Sequence, residues 1–404
     1  MEQWQKNLYV LWFGTFIAAI SFSFISPFLP VFLEQLGTGS NLEAWSGAIF
    51  SASFLSGCIL SPVWGSLADK YGRKVMIIRA GFGMGTINLL VYLVQTPVQL
   101  FILRMLNGAV SGFIPSAIAL VATNTPEDKV GTSLGILKTG SATGNILGPL
   151  VGGVLSHYIG IRHTFVVAGL TIWAATLIVL FGVEEVTKPL GKSAKISVID
   201  DLRIAWVNTN FRTLMLFVTL TNATVAILQP VLTPFIMTIT TGDPSLATGV
   251  LFSLTGLATV LAAPLWSKKG SSVGFANTFQ ISMILSGVLN LPQAFTTNTI
   301  SFGLLRFAYG LVYAGAQISI EGLTATTVAP DFRGRAFGIS HSFSNLGSVL
   351  GPIIGGFVGS TLGIKWVFII NGSLLVCFGF FSRTLQTGLS QVQTVDKADC
   401  LKMD

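Results

Sequence analysis

Gly140-Ser141-Ala142-Thr143-Gly144-Asn145-Ile146-Leu147-Gly148-Pro149-Leu150-Val151-Gly152-Gly153 decides how the rest of this chain reads. Gly140, Gly144, Gly148 and Gly152 recur every four residues, so on a helix they form one ridge without side chains. Such a ridge lets a second helix backbone approach closely, which is how helices associate in lipid, where the hydrophobic drive is gone. Pro149 within the ridge should kink the helix or weaken its hydrogen-bond ladder. The pattern returns as Gly347, Gly351-Pro352, Gly355-Gly356 and Gly359, with the Gly-Pro pair displaced by 203 residues. The chain reads as one unit written twice.

Composition says where such helices live. Charged residues make up 10% of the 404 and apolar ones 51%, against about a quarter charged in soluble domains. Mean hydropathy is +0.73. Uncharged runs long enough to cross a bilayer, about 20 residues, occupy 7–33, 44–68, 80–103, 139–161, 163–183, 213–242, 244–267, 270–305 and 336–364, with a shorter run at 366–382. The run 270–305 divides near Asn290–Asn298. With Arg79, Arg104, Lys138, Arg306 and Glu321 counted inside spans, twelve transmembrane helices result, an all-α membrane protein.

The net charge of +7 does not form a nucleic-acid patch. If the N-terminus is cytoplasmic, 17 of the 23 Lys and Arg fall in cytoplasmic loops and tails, against only Arg162 and Lys365 outside. This is the positive-inside asymmetry, and it puts both termini in the cytoplasm. The first span is too long for a cleavable signal, and no small-residue cleavage site follows it. Cys58, Cys377 and Cys400 offer no disulfide framework and no metal spacing.

Further landmarks keep the same displacement. Pro27 answers to Pro230, Pro62-Val63-Trp64 to Pro264-Leu265-Trp266, Leu103-Arg104 to Leu305-Arg306, and Gly160-Ile161 to Gly363-Ile364, at 202 or 203 residues. Two six-helix halves follow, 1–183 and 212–385, joined by a basic loop at 184–211 and ending in a tail at 386–404. A substrate path between such halves is expected.

The loop between spans 2 and 3 reads Gly65-Ser66-Leu67-Ala68-Asp69-Lys70-Tyr71-Gly72-Arg73-Lys74. Gly65 and Gly72 permit tight turns, and Asp69 can accept from an arginine or face a helix N-terminus. This loop resembles, at every position, the signature of the major facilitator superfamily, Gly-x-Leu-x-Asp-x-x-Gly-Arg-Lys. Leu103-Arg104-x-x-x-Gly108 resembles the span 4 motif of that family. Gly144-x-x-x-Gly148-Pro149-x-x-Gly152-Gly153 resembles the span 5 motif of its drug:proton antiporter branch. The chain also looks like multidrug efflux pumps of Gram-positive bacteria. The resemblance implies that Asp69 with Arg73, in the gate motif that includes Lys74, holds the cytoplasmic side closed, that Arg104 takes part in proton transfer, and that the span 5 motif, Gly144 to Gly153, shapes the contact between halves; Gly140, Gly351 and Pro352 belong to the same helix-packing pattern. Two departures stand out. Trp266-Ser267-Lys268-Lys269-Gly270 replaces the repeat of the loop motif, which makes the gate lock one-sided, and span 7 carries no acidic residue.

Ionisable residues within spans are costly and read as functional by default. Glu321 is the one acidic residue within an expected span, and burial would raise its pKa from about 4.3 toward neutrality. Its other reading is a residue reaching the cytoplasmic interface. Arg306, Tyr309, Tyr313, Gln317, Glu321 and Thr324 share one face of span 10, as Arg104, Asn107 and Ser111 do on span 4. Asn222 and Gln229 lie seven apart on one face of span 7. In the family, spans 1, 4, 7 and 10 line the central cavity, so these faces should look inward. Thirty Phe suit either a cavity for bulky aromatic cations or lipid contact.

The expected function is a proton-coupled exporter of lipophilic drugs in the bacterial cytoplasmic membrane, working as a monomer by alternating access of two halves. No cofactor is expected beyond the proton gradient: a phosphate-binding Gly-x-x-x-x-Gly-Lys-Ser/Thr loop is missing. No metal site, enzymatic triad or nucleic-acid partner is expected either. The rival readings are a dedicated transporter of one sugar or amino acid and a non-transporting membrane receptor.

Overall fold

Glycine spacing, proline placement and turn residues set the helix boundaries in the computed structural model, which describes residues 2–185, 209–328 and 333–382. The expected central loop lies outside these residues except for 184–185 and 209–211, and the expected tail lies wholly outside them. Twelve helical rods follow one another: α1 (Gln3–Gln35), α2 (Leu42–Tyr71), α3 (Arg73–Val91), α4 (Pro97–Asn124), α5 (Val130–Ile159), α6 (Ile161–Gly182), α7 (Thr209–Ile239), α8 (Pro244–Val273), α9 (Phe275–Asn290), α10 (Thr299–Thr326), α11 (Arg333–Leu362) and α12 (Ile364–Phe381). Among the described residues no strand occurs. All of these rods except α9 and α10 fall in stretches long and apolar enough to cross a membrane by themselves.

Local chemistry explains the ends and the interruptions. Thr96 opens α4 with a capping box: its hydroxyl accepts from the Gln99 amide at 3.3 Å, and the Gln99 side chain accepts from the Thr96 amide at 3.2 Å. Asn298 caps α10 by accepting from Ser301 N at 2.8 Å. The ladder of α1 tightens to a 3-10 turn at Ser26–Phe28, around Pro27. That of α7 breaks into a turn at Ile227–Leu228, just before Pro230. α5 behaves differently, running unbroken through Pro149. A proline cannot donate to the carbonyl four residues back, and here the Ser23 hydroxyl takes that Asn145 oxygen at 3.0 Å.

The described residues fall into two compact units, one built from 2–185 with Gln229–Ser253, the other from 209–228 with 254–328 and 333–382. The first unit therefore takes in a stretch that the repeat assigns to the second half. Within it, α1 lies along the glycine ridge of α5. A Cβ at Gly140 would come within 2.8 Å of Trp12 O, at Gly144 within 2.6 Å of Phe16 O, and at Gly148 within 2.7 Å of the Ser23 Cβ; at Gly152 it would meet Phe24 O. Gly153 faces elsewhere, 2.8 Å from Ser245 O at the start of α8. There Asp243 caps α8 through the amides of Ser245 (2.8 Å) and Leu246 (3.0 Å) and meets His157 Nδ1 at 2.7 Å. Burial pushes the Asp243 carboxyl up, but the Leu246 amide, His157 and the Ser245 amide outweigh it and hold the group below its ordinary value.

The second unit repeats the ridge. Gly347, Gly351 and Gly355 of α11 face the carbonyls of Thr219, Ala223 and Ile227 on α7, at 2.6 Å for a Cβ on Gly351. Fully buried phenylalanines fill both interiors: Phe24, Phe28, Phe32 and Phe165 in the first unit, and Phe211, Phe279, Phe302 and Phe368 in the second. In lipid such rings hold each unit together through close van der Waals packing, since the hydrophobic drive is gone there.

Candidate transport site

The expected gate loop is a helix end and a single glycine. α2 continues through Gly65 to Tyr71, so Gly65 makes no turn; Gly72, at φ 99°, makes it alone. A side chain is strained at that φ. Asp69 Oδ1 lies 3.6 Å from Arg73 Nη2, one helical turn on, with Asp69 about half exposed. Arg73 Nη1 also donates to Thr123 Oγ1 at 2.7 Å, reaching the end of α4. The anion at the N-terminus of α3 is not Asp69. Glu185, just past α6, accepts from the amides of Arg73 (2.8 Å) and Lys74 (3.0 Å), a carboxylate at the positive end of a helix. Its neighbour Glu184 is held by Asn7 of α1 (Nδ2 to O, 2.7 Å) and by Asn124 of α4 (3.3 Å). Sequence reasoning placed Glu185 in the linker and missed this role. The available signal was a helix opening at Gly72-Arg73 with no side-chain cap of its own.

On α4, Arg104 and Asn107 are both buried, each 4% exposed. Arg104 Nε has no hydrogen-bond partner, and among the described residues no carboxylate pairs with it. Its main chain is gripped by α2, through Ser53 Oγ to Arg104 O at 2.9 Å. Ser111 does not share their face on a continuous helix. The helix breaks at Ser111–Gly112, and the Ser111 hydroxyl donates to Gly108 O at 2.7 Å.

The polar face of α10 divides in two. Arg306, Tyr309 and Tyr313 are buried at 7, 3 and 5% exposure. Tyr309 stacks on Tyr313 with centroids 5.4 Å apart, the Arg306 guanidinium lies 5.3 Å from the Tyr309 ring, and Tyr313 donates to Thr221 O at 3.1 Å. Tyr309 Oη and Arg306 Nε and Nη1 are buried without partners. Thr324 is buried as well. Gln317 and Glu321 are exposed. Glu321 is exposed where burial was expected, five residues before the end of α10.

Asn222 and Gln229 lie on either side of the turn at Ile227–Leu228, which interrupts the helix that their seven-residue spacing assumes. Asn222 donates to Val218 O on its own helix at 2.9 Å. Gln229 opens onto a cleft of about 190 Å³ in the first unit, walled by Phe22, Phe50 and Phe252 and shared with Asn145 and Pro149. Its Oε1 is buried without a partner. An apolar cleft with few convergent polar groups is the ordinary form of a small-molecule site. Among the described residues no group of three His, Cys, Asp or Glu side chains could hold a metal ion.

Among the described residues, twelve helical rods, most of them in stretches apolar enough to cross a membrane, and two glycine ridges define a polytopic helical membrane protein. The sequence signature described as Major Facilitator Superfamily matches residues 11–239 and 214–387, and the chain belongs to that superfamily. It is similar to Multidrug resistance protein MdtG of Enterobacter lignolyticus, 36% identical over 97% of this chain and 93% of the relative. It is likewise similar to MdtG of Salmonella arizonae, 34% identical over 94% and 95%. The fold matches the crystal structure of the nucleoside transporter NupG, with TM-score 0.78, 18% identity, and 95% and 99% of the two chains covered. It also matches a bacterial homolog of the human lysosomal transporter Spinster in an inward-facing, occupied conformation, with TM-score 0.79, 14% identity, and 96% and 98% covered. The protein is a multi-pass membrane transporter and not an enzyme.

Proposed function

We propose that this chain is a proton-coupled exporter of chemically varied lipophilic drugs, working as a monomer in the bacterial cytoplasmic membrane with both termini in the cytoplasm. The observation that carries this reading is similarity over nearly the whole chain to proteins named for multidrug resistance. The aromatic cleft at Gln229 and Asn145 supports it, since ring faces hold planar cations and apolar drugs by area with little demand for matched hydrogen bonds. Its volume fits part of a drug, so the bound molecule extends beyond it. In this reading the halves 1–183 and 212–385 rock about the substrate, and the glycine ridges of α5 and α11 keep each half rigid enough to move as a body.

Arg104 is the coupling residue in this scheme, a buried cation whose hydration and partners change as the site opens. Glu321 is the exposed carboxylate that draws cationic drugs and protons toward it. The Asp69–Arg73 pair and the Glu185 cap tie α3 to the ends of α4 and α6 on the gate side. One proton moving down 100 mV carries about 2.3 kcal/mol, which supports roughly 40-fold drug accumulation at about 1.4 kcal/mol per decade. Ethidium efflux from cells with and without this chain, with and without an uncoupler, tests the reading. Uncoupler-sensitive efflux that depends on the chain is expected; a profile confined to one sugar or amino acid would replace it.

A further inference from the structure

α4 leaves the helical conformation at Ser111 (φ −61°, ψ 171°) and Gly112 (φ 129°, ψ 9°). Ser/Gly pairs and prolines are recognised sites of sharp helix breaks, and Pro115, four residues past Ser111, has no N–H to give the Ser111 carbonyl, so the break leaves carbonyl oxygens that the i→i−4 ladder would otherwise occupy. Side chains from two neighbouring helices take them here. Trp64 of α2 donates from Nε1 to Ala109 O at 2.7 Å, and Arg79 of α3 donates from Nη2 to Ser111 O at 3.1 Å. The Arg79 guanidinium also lies 3.6 Å from the centroid of the Trp64 ring, so the two donors hold each other as well as the backbone. A Cβ at Gly112 would sit 3.5 Å from Arg79 Nη2, so the guanidinium packs directly on the broken turn.

The repeat supplies an internal control. At a displacement of 202 residues Trp64 becomes Trp266, Ala109 becomes Leu311, Gly112 becomes Ala314 and Arg79 becomes Ile281. Trp266 donates to Leu311 O at 2.7 Å, the same bond in the second unit. Yet α10 runs unbroken from Thr299 to Thr326. Pro115 and Gly112 accompany the arginine in the half whose helix is broken, against Gln317, Ala314 and Ile281 in the half whose helix is whole, so the backbone break comes from the proline and glycine and Arg79 is the donor that answers it.

We propose that Arg79 is a positioning residue for transport: bound to the Ser111 carbonyl and stacked on Trp64, it sets the angle between the two segments of α4 and so the pose of Arg104 and Asn107. Its Nε and Nη1 are buried and have no hydrogen-bond partner. These spare donors let it take up a different carbonyl as the break changes angle during the cycle. The proposal rests on the reading of the Arg104 face as a working surface in transport.

Reconstituted ethidium transport and equilibrium ethidium binding in Arg79→Ile, Arg79→Lys and Arg104→Gln, each normalised to folded protein in the membrane, test it. Turnover should fall about ten-fold in Arg79→Ile while affinity stays within about two-fold. Arg79→Lys should recover part of the turnover, since it keeps the charge and a donor but loses the planar stack. Adding Gly112→Ala to Arg79→Ile, which copies the residues of the second half, should leave turnover low. Wild-type turnover in Arg79→Ile beside an inactive Arg104→Gln would overturn the proposal alone. Wild-type turnover in Arg104→Gln would instead remove the functional reading of α4, and the proposal with it. Affinity falling in step with turnover would leave Arg79 a structural residue only. If Arg79→Ile does not reach the membrane, Arg79→Lys decides by the same two measurements.

Discussion

A buried guanidinium with no partner costs free energy, and Arg104 and Arg306 both carry unpaired, buried nitrogens. Such groups are kept where they work, so Arg104→Gln should abolish uncoupler-sensitive export at unchanged expression, read as dye efflux per folded transporter. Glu321 belongs to a different category because it is exposed. Glu321→Gln should weaken export of monovalent cations such as ethidium and spare neutral drugs; unchanged ethidium efflux with an unchanged pH profile would reduce it to a surface residue. Asp243 gives a signed pH effect. Its hydrogen bonds hold the folded carboxyl below its ordinary value, so its stabilising contribution is present above the unfolded pKa, about 3.9, and is lost as pH falls through the lower folded value. Asp243→Asn should therefore lower the Tm by more at pH 7 than at about pH 3. Equal losses at both pH values would mean that hydrogen bonding to α8, and not charge, is what the variant removes.

At the scale of helices, the four-residue glycine spacing was readable because only a bare ridge puts backbone against backbone. With the Ser23 Cβ 2.7 Å from where a Cβ on Gly148 would sit, Gly148→Leu overpacks the α1–α5 contact by about 1–3 kcal/mol or more. It should stop transport, and a fully active, well-expressed Gly148→Leu protein would contradict the close packing. The break in α4 was overlooked because Ser111 continues the helical spacing of Arg104 and Asn107, although Ser111-Gly112 and Pro115 were its signals in the sequence. The role of Glu185 was hidden for another reason: it arises between residues more than a hundred positions apart. Glu185→Gln should cost about 1 kcal/mol through the lost charge at the α3 N-terminus, seen as faster amide exchange at Arg73 and Lys74. Asp69→Asn, which leaves that cap intact, should not speed this exchange. It should instead increase labelling of cysteines placed at the gate.

For the whole molecule, the repeat at 202–203 residues was legible because proline, tryptophan and glycine landmarks survive where apolar lipid-facing positions drift. The units differ where the landmarks do: α4 is broken and α10 is continuous, and Gly72-Arg73-Lys74 at the start of α3 becomes Gly274-Phe275-Ala276 at the start of α9, which keeps the positive-φ glycine and loses both cations. The inward orientation of individual polar residues was less legible, because helical spacing assigns a face but not what covers it, as Gln317 and Glu321 show. The central claim is that a proton gradient drives drugs out through this chain. Purified protein in liposomes, loaded with ethidium and given an imposed pH gradient, tests it most directly by recording both dye movement and proton flux. The account predicts that each flux requires the other and that Arg104→Gln stops both. Dye movement that ignores the pH gradient, or proton flux unaffected by dye, would contradict it.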